Sequence, residues 1–151
     1  MKETALIVLP LPPPQLSPNR KPGTRGGRMA HARAAREYRE LAKRVAGAWV
    51  DGPPWAKAAV RARFFHSTKR RRDDVNFLAA LKPAFDGLVD AGLLEDDDAA
   101  HLTTLGATFE LDKDAPRVEL LVERVAAAER RECLECGAPA GRHYRGCLKV
   151  D

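Results

Sequence analysis

Lys69 to Asn76 reads KRRRDDVN: four cations run straight into two carboxylates and end on an amide. Such a run is either a solvated loop or a site that holds a phosphate and a divalent metal side by side. Arginine and lysine grip phosphate oxygens. Hard carboxylate oxygens suit Mg²⁺, which keeps several waters and takes substrate phosphate as a further ligand. A second acidic run, Glu95 to Asp98, and a lysine–aspartate pair, Lys82 and Asp86, complete the residues able to act on a phosphodiester. If Asp73 and Asp74 meet Asp96 and Asp97, a bound ion can activate water and neutralise charge on the phosphate. Lys69, Arg70, Arg71 and Arg72 would hold the backbone, and Lys82 would steady the charge of the transition state. The plainer alternative stays open: aspartates near a helix N-terminus are favourable by dipole alone, and Lys82 and Asp86 stand at the i, i+4 spacing of an ordinary surface pair.

The charge distribution bears on the partner. Residues 1–72 carry 17 Lys/Arg and 4 Asp/Glu, whereas residues 73–151 carry 9 and 17. A basic half favours a polyanion, because binding releases condensed counterions; an acidic half repels one unless its carboxylates hold cations. Two oppositely charged solvated faces would give the same count. No stretch approaches the ~20 apolar residues of a membrane helix, and the apolar run Ala5 to Leu11 is too short for a signal-peptide core. The expectation is a cytosolic, cytoplasmic protein.

The elements that must position these groups follow from periodicity. Thr4 to Leu11 reads as a strand. Leu9 to Gly27 is a proline- and glycine-rich loop carrying Arg20, Lys21 and Arg25, with Arg28 just after it, either a linker or a grip on a nucleic-acid backbone. Met29 to Trp49 places Ala30, Ala34, Tyr38, Leu41, Val45 and Trp49 on one helical face. Lys57 to His66 alternates as a strand, with Arg61 and Arg63 on the face opposite Val60, Ala62 and Phe64. The lone His66 reads as structural. A second helix spans Asn76 or Phe77 to Ala91, with Pro83 kinking it or starting a new turn. Leu102 to Leu111 and Arg117 to Val125 are two more strands, and the LDKDAP turn between them predicts a hairpin. The order β-α-β-α-β-β predicts an α+β domain with one small mixed sheet of about four strands and two main helices. About 15 helical residues span roughly 22 Å, so the two acidic groups converge only if the chain bends between them.

All three cysteines lie near the end of the chain. Cys133, Cys136, His143 and Cys147 follow a Cys-x2-Cys-x6-His-x3-Cys spacing. Three thiolates and an imidazole are the ligand set of a closed structural zinc site. Free cysteines beside a chance histidine are the alternative. The expected division is residues 1–127 as the main domain and 128–151 as a small zinc-knuckle-like module.

Taken in order, LPLPPP with LSPN, then FFHSTKRRRDDVN, then KPAFDGLVDAGLLEDDD resembles the RusA family of Holliday-junction resolvases over about residues 4 to 125. The resemblance implies a homodimeric, Mg²⁺- or Mn²⁺-dependent endonuclease that nicks four-way DNA junctions in pairs during recombination and repair. Arg72, Asp73 and Asn76 match the first part of the family motif, Lys82 and Asp86 its Lys-x-x-x-Asp pair, and Asp96 and Asp97 its late acidic pair, with Asp97 at the position held to be catalytic. The resemblance also implies that the late pair returns beside the early carboxylates. Val75 departs from the motif: it stands where the second aspartate is expected, with Asp74 beside it. The resulting expectation is a catalytic set of Asp73, Asp74, Lys82 and Asp97, with Asp96 as a further metal ligand. A non-catalytic DNA-binding accessory of the same fold is the alternative.

Overall fold

The computed structural model describes residues 2–20 and 22–126. Lys21 and the whole Cys133–Cys147 zinc motif lie outside the described residues. The elements are β1 (Thr4–Leu9), a 3-10 turn (Pro14–Leu16), α1 (Arg25–Gly47), β2 (Ala58–His66), α2 (Asp74–Ala80), α3 (Lys82–Asp90), β3 (Leu102–Leu111) and β4 (Arg117–Arg124). They form the expected α+β fold, with one mixed sheet in the order β1-β4-β2-β3. Among the described residues no helix is long and apolar enough to cross a membrane.

Alternation along the strands decides the core. Ala5, Ile7 and Leu9 of β1, Val60, Ala62 and Phe64 of β2, and Val118, Leu120 and Val122 of β4 are all buried. They meet Ala34, Tyr38, Ala42 and Ala46 of α1 and Ala84, Phe85 and Leu88 of α3. Tyr38 belongs to this core, as its helical spacing implies, and its hydroxyl donates to the Pro10 carbonyl at 2.8 Å.

The structure changes four details of the sequence reading. β1 stops at Leu9, because Pro10 begins the proline-rich stretch. α1 starts at Arg25 rather than Met29: Thr24 caps it by accepting the Gly27 amide at 3.0 Å, which puts Arg25 and Arg28 in the first helical turns and not in the loop. The expected single second helix is two. Leu81 ends α2, and Pro83 stands in the first turn of α3, where its missing N–H costs nothing and its fixed φ suits a helix start.

The fourth change concerns the predicted hairpin. β3 and β4 do not pair with each other; β2 lies between them, parallel to β3 and antiparallel to β4. A parallel pair needs a long crossover, and α2 with α3 supplies it. The segment after β3 then steps across the end of β2. Arg117 secures that step with bonds to Asp112 at 2.8 Å and Glu119 at 2.9 Å, while its guanidinium lies 3.9 Å above the Phe65 ring. A short polar turn is a good hairpin signal locally, but an alternating apolar strand such as β2 gains more by taking the centre of the sheet.

Candidate functional site

The basic run occupies the connection between β2 and α2. Arg72 donates to the Thr68 carbonyl at 2.7 Å, and Lys69, Arg70 and Arg71 are exposed. Among the described residues none of these four cations has a carboxylate within 4.0 Å. Burial, reinforced by the Arg70 charge, lowers the Arg72 pKa. Among the described residues, then, no carboxylate neutralises this positive charge, and an anion would relieve it. Arg71, Arg72, Asp73 and Asn76 also line a cleft of about 470 Å³ whose opposite wall is the proline segment at Pro12–Pro14 with Asn19. Arg20 lies in the same amino-terminal segment.

Asp73 is the N-cap of α2. Its Oδ1 accepts the Val75 amide at 3.0 Å, and its Oδ2 accepts the Asn76 side-chain amide at 3.2 Å. Asp74 Oδ1 also accepts the Val75 amide, at 2.9 Å. Both early carboxylates thus bond to their own helix start. Val75, at the motif's aspartate position, is 69% exposed and contributes nothing to the core.

Lys82 opens α3 just past Leu81, beyond the seven-residue α2 (Asp74–Ala80), whose axis is roughly 10 Å long at helical rise. Its ammonium donates to Asp86 Oδ1 at 2.8 Å and to Asp97 Oδ2. Its hydrogen bonds to Asp86 and then to Asp97 raise its pKa. Asp97 is the most covered of these carboxylates, its side chain 12% exposed against 28% for Asp86. Its backbone amide donates to Asp96 Oδ1 at 2.7 Å, which turns Asp96 back on the loop.

A packing contact fixes this corner. A Cβ on Gly87 would sit 2.4 Å from the Arg39 carbonyl oxygen and 2.8 Å from Ala42 Cβ, so only glycine lets α3 approach α1 so closely. The approach brings Arg39 onto Asp90 in a bidentate pair at 2.5 and 2.8 Å, with Asp86 at 4.0 Å. The hydrogen bond from Arg39 is the leading cause of a lowered Asp90 pKa.

Next to Asp97, three ligand-bearing side chains come within 4.8 Å of one another: Asp96, Asp98 and His101. This group can hold a metal ion, with two hard oxygens and one imidazole as donors. Asp98 Oδ1 accepts from His101 Nδ1 at 2.5 Å, and that bond raises the His101 pKa and lowers that of Asp98. Among the described residues this is the one such three-residue group, and neither Asp73 nor Asp74 joins it. Lys82, Asp86 and Asp97 are therefore brought together, as are Arg71, Arg72 and Asp73, while the early and late carboxylates remain in separate groups. Sequence reasoning counted Asp98 only within the acidic run and passed over His101, although an aspartate three residues before a histidine is a visible signal, and over Arg39, whose role depends on helix packing.

His66, at the end of β2, is buried within the aromatic cluster of Phe64, Phe77 and Phe109. Its Nε2 has no hydrogen-bond partner among the described residues, and burial, then the Arg72 charge, lowers its pKa. It packs as a neutral ring, in line with a structural role. No protein-family model matches the chain, and no curated protein matches it.

Proposed function

We propose that the chain is a metal-dependent endodeoxyribonuclease of the RusA type, a cytoplasmic homodimer that resolves four-way DNA junctions by paired nicks. The observation that carries this reading is the meeting of Lys82 with Asp97, fifteen residues apart in the chain, on the same crossover as a run of four cations that has no carboxylate partner among the described residues. An ammonium seated on a covered carboxylate, with strong phosphate-binding groups one short helix away, is the polar equipment of phosphodiester hydrolysis.

The donor chemistry fits a hard divalent ion: Asp97 and its neighbours offer carboxylate oxygens, and two of those neighbours already stand with His101 inside the span of one ion. Asp96 and Asp97, beside Asp98 and His101, would hold Mg²⁺ or Mn²⁺, which when bound lowers the pKa of water and offsets phosphate charge. Asp73 and Asp74 lie outside that group, and substitution of Asp73 tests the part in metal binding that the resemblance implies for them. Lys82 orients Asp97 and donates to the charge that develops on the scissile phosphate. Lys69, Arg70, Arg71 and Arg72, with Arg20, Lys21, Arg25 and Arg28, hold the strands on either side. Cys133, Cys136, His143 and Cys147 would bind a structural Zn²⁺; about one zinc per chain in protein purified without added metal is the expected result.

Purified protein incubated with a synthetic four-way junction tests the reading. Paired nicks in Mg²⁺ that vanish in EDTA support it, provided that Asp97→Asn stops cutting and leaves binding intact. Equal cutting of flaps, forks and junctions would replace junction resolution with a general structure-selective nuclease. One observation favours a second reading: exposed Val75 stands in place of a carboxylate, and both adjacent aspartates turn to the backbone. A DNA-binding accessory with a degenerate metal site would shift the junction on a gel and never nick it.

A further inference from the structure

The sheet has two edges, and the fold treats them differently. The β3 edge is broken by a bulge: its register with β2 slips between Val60 and Ala62, and Gly106 sits at φ +95°. Such a bulge twists an edge strand and spoils it as a template for further pairing. β1 has no interruption, and pairs with β4 without a slip from Thr4 to Leu9.

The direction of the free groups on β1 follows from the ladder. The Arg124 amide donates to the Glu3 carbonyl at 2.8 Å. In an antiparallel pair alternate residues face the same neighbour, so Glu3, Ala5, Ile7 and Leu9 bond to β4. Thr4, Leu6 and Val8 then aim their N–H and C=O groups out of the sheet. Both ends of this row are closed by the chain itself: the Lys2 amide donates to Asp51 at 2.7 Å, and the Pro10 carbonyl accepts from Tyr38. Between those ends the three outward residues have no hydrogen-bond partner among the described residues. Their side chains stand on the sheet face away from the helices, where Leu6 and Val8 are 40% and 44% exposed and Leu6 lies opposite Leu121.

We propose that the β1 edge is the docking surface for a second copy of this chain, paired antiparallel about a twofold axis through Leu6. In this register Leu6 faces Leu6 of the second copy, and Thr4 faces Val8. It is the one register that pairs all three outward residues of each copy. Leu6 and Val8 of both copies then form one apolar strip across the joined sheets. A surface that complements itself is what a twofold contact requires, and main-chain pairing along an edge supplies the attraction. The placement rests on the homodimer of the function proposed above; a dimer that forms neither engineered cross-link sinks the placement alone, and a cross-linked dimer that never nicks a junction sinks the nuclease reading alone.

Three measurements on the full-length chain decide it. Light scattering should give the dimer mass for the unaltered protein and the monomer mass for Leu6→Lys, which sets like charges face to face while its far-UV circular dichroism stays that of the unaltered chain. Facing residues in this register have Cα atoms about 5.5 Å apart, inside the disulfide range of about 4.4–6.8 Å. Oxidised Leu6→Cys should therefore run as a cross-linked dimer on a non-reducing gel, beyond any band that the native cysteines give. A mixture of Thr4→Cys and Val8→Cys should cross-link where each variant alone does not, which keeps the test valid if Leu6→Lys fails to fold. A monomeric unaltered chain overturns the proposal, as does a Leu6→Lys dimer or the absence of both engineered cross-links.

Discussion

The early and late aspartates are the same residue type in opposite situations. Asp73 and Asp74 hold the chain: their oxygens accept the Val75 amide and the Asn76 side chain, and so fix where α2 begins. Asp97 is held by the chain: Lys82 grips it and its surroundings cover it. A carboxylate that caps a helix is replaceable by any good capping residue. A covered carboxylate beside an ammonium is not, since removing it leaves a charged lysine with one partner fewer. The comparison teaches that position in the fold, not acidity, decides whether a carboxylate secures a helix start or is itself held against a cation.

The largest expected effect falls on the late group. Asp97→Asn should lower junction cleavage by about 100-fold or more, the scale seen when a group that stabilises developing charge is lost, with junction affinity and melting temperature nearly unchanged. Cleavage kinetics beside a gel-shift titration measure this; equal loss of binding and cutting would demote Asp97 to a structural residue. Gly87→Ala strikes the packing that sets the same corner. The added methyl would overlap the Arg39 carbonyl, and overpacking costs about 1–3 kcal/mol, read from urea unfolding at unchanged m-value.

The early group should respond differently to two substitutions. Asp73→Ala removes the cap and should cost about 0.5–2 kcal/mol. Asp73→Asn keeps the cap and should leave stability within a few tenths of that of the unaltered chain, so any fall in cleavage it causes reports lost charge at a metal site. If Asp73→Asn cuts as well as the original, the early aspartates serve the fold alone. Val75→Asp sharpens the same point: a large gain in metal-dependent cleavage would reveal a site short of one ligand.

The smallest effect belongs to the exposed His101–Asp98 pair. The raised His101 pKa contributes stability that is full below the ordinary histidine range and fades as pH rises through the folded pKa. The lowered Asp98 pKa contributes stability that is present above the ordinary aspartate range and fades as pH falls through its own folded value. The pair is therefore strongest in the mildly acidic window between the two. A proton NMR titration should show the His101 pKa falling in Asp98→Asn; an unchanged titration would mean that the bond does not form in solution.

Much of the fold was legible because burial imposes a period. The alternation of Val60, Ala62 and Phe64, and the three- and four-residue spacing through Ala34 and Tyr38, announce a strand and a helix before any contact is known. Pro83 marks the break between α2 and α3 for the same local reason. The hairpin prediction failed because strand partners are chosen by the whole sheet. Nothing near Asp112 to Pro116 says that β2 will lie between β3 and β4. Within the candidate site, the acidic and basic runs were visible as composition and the Asp98–His101 spacing was open to a local reading, whereas Arg39 became relevant only through packing.

The sequence by itself determined the element types, their approximate limits and the stock of charged groups, because these depend on φ/ψ preference, side-chain period and residue chemistry within a few neighbours. Tertiary structure alone decided which charges meet. The contact of Lys82 with Asp97 depends on a loop folding back to the first turn of α3, and the seating of Arg39 on Asp90 depends on two helices that touch across a glycine. Those distances are set by core packing between segments far apart in the chain, and no local pattern carries that information.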